Sequence, residues 1–115
     1  MELTPLEQDI LGDMTWDSHG VGELVGFVRA AHPGSDDAEV FAHTRTLLAA
    51  WITRGWLDLG PANRERAGLA TIAELLPYLD RHGPDVASID RDVVLPEVDL
   101  TEQAFTDVPW LRGAA

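Results

Sequence analysis

Residues 35–59 read SDDAEVFAHTRTLLAAWITRGWLDL, and this stretch decides the fold. Ser35 is placed to cap a helix, with Asp36, Asp37 and Glu39 in the first turn, where the helix dipole favours acids. Val40, Phe41, Thr44, Leu47, Leu48, Trp51 and Ile52 then recur at helical spacing and form one apolar stripe. Gly55 suits a left-handed helix end, and Trp56-Leu57-Asp58-Leu59 alternates as a short strand. The chain on either side is expected to pack on this helix and its exit strand.

Upstream, Thr4-Pro5-Leu6-Glu7 is a capping box with proline at the first helical position. Leu6, Ile10, Leu11 and Met14 continue it as a helix over 5–14. After Trp16, Asp17 or Ser18 is placed to cap a second helix over 20–31, which ends at His32-Pro33-Gly34. Gly22 and Gly26 lie one turn apart on it; each costs about 1 kcal/mol of helix propensity relative to Ala, so close approach of a neighbouring backbone is the expected compensation. Downstream, Gly60-Pro61-Ala62-Asn63 reads as a turn and residues 64–68 as an exposed polar loop. Thr71-Ile72-Ala73-Glu74 is another capping box, opening a short or kinked helix through Arg81 because Pro77 falls in its second turn. Residues 93–100 read as a returning strand whose proline points to a sheet edge or a bulge, followed by a helical turn at 102–105 and a docking tail around Trp110. Trp16, Trp51, Trp56 and Trp110 are read as core anchors.

The chain has 115 residues, 45% of them hydrophobic, and no cysteine. That is enough for one core without crosslinks, and it excludes disulfides and thiolate metal sites. No apolar run approaches the roughly 20 residues of a membrane helix, and the N-terminus lacks a signal-peptide pattern, so a cytoplasmic location is expected. Twenty acids against eight bases, all of them Arg, give a net charge of −12. Residues 1–35 carry six acids and one Arg, residues 83–115 seven acids and two Arg, so each flank is −5. A chain this acidic is repelled by nucleic acid unless its Arg gather on one face.

Three helices, then a strand leaving the third through glycine, then a returning strand resemble the winged-helix superfamily, with the likeness carried by TLLAAWITRGWLDL at 46–59. The resemblance implies a mainly α, α+β domain over 1–115. Its core spans 3–60 plus 93–100, residues 61–92 form a wing elaborated by a helix, and 101–115 is a docking tail. It also implies a third helix that enters the DNA major groove and a wing that touches the backbone. Arg45, Arg54, Arg64 and Arg66 are the residues available for that role.

The outward face of the third helix argues otherwise. It carries Glu39, Ala42, His43, Thr46, Ala49, Ala50 and Thr53, without the Arg, Lys, Asn or Gln that base readout uses. Small residues in this pattern suit a protein contact or a homodimer seam. Glu39 and His43 lie one turn apart, but two ligands do not make a metal site. His32 and His82 sit at helix ends, where histidine suits the dipole. No nucleophile elbow, phosphate loop or paired-His motif occurs, and no cofactor is called for. The sequence therefore points to a non-enzymatic, acidic, winged-helix-like module that binds a basic protein, an inhibitor or immunity protein being one concrete form. A DNA-binding regulator is the alternative.

Overall fold

In the computed structural model, residues 2–88 and 95–114 are described. Helix α1 (Pro5–Met14) starts as its sequence dictates: Thr4 accepts from the Glu7 N–H, and Glu7 reaches back to the Thr4 N–H. The other oxygen of the same carboxylate takes the Trp51 indole N–H at 3.1 Å, so the cap also ties α1 to the third helix. A two-residue strand β1 (His19–Gly20) precedes α2 (Val21–Ala31). Gly20, not Asp17 or Ser18, is the N-cap of α2, and Glu23 accepts from its N–H. Pairing of His19 and Gly20 with a distant strand pulls the chain out of the helix at the residues where a local cap was expected.

Helix α3 (Asp37–Thr53) is capped by Asp36 rather than Ser35. The reason is framing: Asp36 and Glu39 satisfy each other's backbone N–H groups, whereas Ser35 would stand three residues before Ala38, which has nothing to return. Val40, Thr44, Leu48 and Trp51 are buried along α3, and Phe41, Leu47 and Ile52 pack at the edge of the core. Gly55 has φ +75°, the left-handed conformation that turns the chain into β2 (Leu57–Leu59).

Residues 63–88 form α4 (Asn63–Arg66), a 3₁₀ turn at Ile72–Glu74, α5 (Leu75–His82) and a second 3₁₀ segment at Gly83–Ala87. They bury Leu69, Leu75, Leu79, Val86 and Ala87, with α5 and the last segment packed on α3. Residues 64–66, expected as loop, are helical, and Asn63 beneath them is buried. Glu74 accepts from the N–H groups of Ala70 and Thr71, which holds its carboxyl below the usual range. Helix α5 is short, eight residues, in line with one of the two forms expected from Pro77. The α-helix proper begins at Leu75, so Pro77 stands in the first turn, where its missing N–H has no partner to lose.

Strand β3 (Glu97–Leu100) returns between the other two, giving an antiparallel sheet of order β1-β3-β2. Of the expected strand at 93–100, residues 93 and 94 lie outside the described residues, and Leu95 and Pro96 are buried but not in the sheet. Thr101 caps α6 (Glu102–Asp107), and α7 (Leu111–Ala114) follows. Ala104, Val108 and Leu111 are buried, so this tail is part of the core. The result is a mostly helical α+β fold with one small three-stranded antiparallel sheet.

A Cβ at Gly26 would meet nothing within 4 Å, so no backbone approaches it; the position is exposed. Trp16 is 73% exposed because α1 ends at Met14 and the ring falls beyond the buried stripe. Trp51 and Trp56 are fully buried, and Trp110 is 45% exposed.

Candidate functional site

The outer side of α3 presents Glu39, Ala42, His43, Thr46 and Thr53 to solvent, with Ala49 and Ala50 half-buried. Much of its polar capacity is spent locally. The Glu39 carboxylate accepts from the Asp36 N–H, and the Thr46 hydroxyl donates to the Ala42 carbonyl at 2.9 Å. His43 stacks on His32 at the end of α2, with ring centroids 4.2 Å apart and planes within 1°. A groove of about 190 Å³ runs beside the pair, lined also by Thr4, Leu6, Glu7, Thr46 and Leu47. The spacing of His32 and His43 gave no hint of this stack, since it depends on how the His32-Pro33-Gly34 turn brings α2 against α3.

Arg45 and Arg54 do not share a side of α3. Arg45 and Arg54 are nine residues apart, half a revolution on a helix of 3.6 residues per turn, and so point to opposite sides. Arg45 makes a bidentate pair with Asp80 of α5 at 2.7 and 2.8 Å; these hydrogen bonds raise the guanidinium pKa and lower that of the carboxyl. Arg54 lies over the Trp56 ring at 5.0 Å, and Arg66 pairs with Glu97 at 3.1 Å. Arg64 is exposed and has no ion pair among the described residues.

The carboxylates do gather, at the sheet. Register places Asp58 of β2 directly opposite Asp99 of β3, and Glu97 lies two residues before Asp99 on the same side of the strand. Burial is the largest influence raising the Asp99 carboxyl above its ordinary value, followed by the charges of Glu97, Asp58 and Asp17; a hydrogen bond from Ser18 works against it. Like charges directly opposite each other in a ladder are destabilising. Sequence reading missed this cluster because its members come together only once the β2–β3 register is known.

Beside it, His19 is buried, with Nε2 2.6 Å from Asp13 and 3.5 Å from Glu23. Desolvation opposes its charging but is outweighed by the Asp13 hydrogen bond, the Ser18 backbone and the charges of Glu23 and Asp13, and its pKa is raised. Its Nδ1 is buried and makes no well-formed hydrogen bond. Asn63 is a second buried polar group that the sequence did not reveal. Its amide donates to the carbonyls of Gly60 and Glu97 and accepts from the Glu97 N–H, pinning α4 to β3.

Among the described residues, no group of three His, Asp or Glu could hold a metal ion, and no helix is long and apolar enough to cross a membrane. Comparison with protein-family models, curated proteins and solved structures finds no match.

Proposed function

We propose that this chain is a non-enzymatic, winged-helix-like module of the cytoplasm that binds a basic protein partner through its acidic surface. The observation that carries the reading is the facing pair Asp58 and Asp99, with Glu97 and Asp17 beside it. Arg66 offsets Glu97 alone, so the repulsion between Asp58 and Asp99 still works against folding, and a cationic partner that turns it into attraction is the compensation this reading supplies. The winged-helix likeness is supported by the antiparallel β2–β3 pair that follows the third helix. An inhibitor or immunity role against a basic toxin or nuclease fits the same charge. The Ala/Thr face of α3, with His43 on His32, offers a further contact or a homodimer seam.

The DNA-binding alternative keeps the exposed Arg64 in α4 and the exposed Arg54, neither of which has an ion pair among the described residues. Against it, Arg45 and Arg66 are already paired with carboxylates. A titration against a hexa-arginine peptide and a 20-base-pair duplex, each at low and high salt, separates the two. The module predicts salt-sensitive binding of the peptide and none of the duplex. Salt-sensitive duplex binding that is lost in R64A/R66A would overturn it in favour of a regulator.

A further inference from the structure

We infer that the groove between the start of α1 and the α6–α7 turn is the seat for an arginine-bearing segment of the partner protein. This rests on the basic-partner reading and adds a second contact, distinct in its residues from the Asp58–Asp99 pair. The groove has a volume of about 500 Å³ and is lined by Glu2, Leu3, Gln8, Asp107, Val108, Pro109 and Trp110. That is within the range of sites that enclose a few residues or a small ligand. Among the described residues that line it are two carboxylates and no cation, so a positive charge is the complementary occupant.

Three features separate this groove from an ordinary acidic surface. Asp107 is held in place, one oxygen accepting from the buried Trp56 indole and the other from Gln103, each at 2.8 Å. A charge fixed in this way pays little ordering cost when a partner arrives. The wall that carries it is rigid: Thr101 bonds the carbonyls of Gly55 and Trp56, while Ala104, Val108 and Leu111 are buried. Trp110 is anchored as well, its ring packing over Gly12 of α1, where an added Cβ would lie 3.8 Å away, yet 45% of the residue stays exposed. A guanidinium stacks on an indole face and takes carboxylates through paired N–H groups, which an ammonium does less well. Asp107 and the half-open Trp110 line the same groove, a combination that favours arginine over lysine.

The test uses the intact chain and two fluorescent probes, hexa-arginine and hexa-lysine, with thermal melting as the check on folding. Wild type is expected to bind hexa-arginine about threefold more tightly than hexa-lysine. Trp110→Ala should erase that preference, and Gln8→Arg, which places a cation in the groove, should weaken both probes about tenfold. If both variants fold and bind like wild type while Asp58→Asn/Asp99→Asn weakens binding, the groove proposal is overturned and the basic-partner reading stands. If wild type binds neither probe, both fall. If instead wild type self-associates in sedimentation and Trp110→Ala does not, the occupant is a second copy of the chain and the proposal is overturned.

Discussion

At the scale of single residues, the unusual chemistry is electrostatic. Asp99 has a raised carboxyl in the folded state, so the folded chain keeps a proton that the unfolded chain has released. Its ionised form works against folding at neutral pH, and that penalty vanishes as pH falls below the ordinary value near 3.8. Asp99→Asn should therefore raise stability at pH 7 by about 0.5 kcal/mol in urea denaturation, with the gain shrinking toward pH 3. His19 behaves differently. Its pKa is raised by carboxylate partners, so its contribution is fully present below its ordinary value of 6.5 and is lost as pH rises through the elevated folded value. His19→Gln should flatten the fall in melting temperature that wild type shows above that pH. Asn63→Ala should cost about 3 kcal/mol, because the buried N–H and carbonyl of Glu97 both lose their partner. None of these three residues announces itself in the sequence: each depends on a partner strand or helix whose register local spacing does not encode.

At the scale of elements, most helix starts and ends were legible from local signals, although the cap of α3 is Asp36 rather than the expected Ser35. Capping boxes involve residues three apart, so Thr4-Glu7 and Thr71-Glu74 marked their helix starts, and Gly55 marked the end of α3. Strand β1 was invisible because two residues carry no periodicity; it exists only through pairing with Glu97 and Val98. The glycines show the same division. Gly26 is an exposed helix position with nothing around it, so Gly26→Ala should stabilise by about 0.5–1 kcal/mol in thermal melting. Gly55→Ala should destabilise by about 1 kcal/mol or more, since φ +75° is strained for any residue with a Cβ.

At the scale of the whole molecule, the sequence carried the composition of the surface but not its arrangement. The net charge of −12 is the ground for expecting a basic partner, and on the outer face of α3 Glu39, Ala42, His43, Thr46 and Thr53 are exposed while Ala49 and Ala50 are half-buried. Where the acids concentrate, and that Trp16 and Trp110 are left exposed, required the packed tail and the sheet. The measurement that bears most directly on the central claim is a paired one on Asp58→Asn/Asp99→Asn: stability by denaturant unfolding, and affinity for hexa-arginine at low salt. The account predicts opposite signs, with stability rising by about 1 kcal/mol while affinity falls at least about fivefold. A variant that is less stable than wild type, or that binds the cationic probe as tightly, would contradict it.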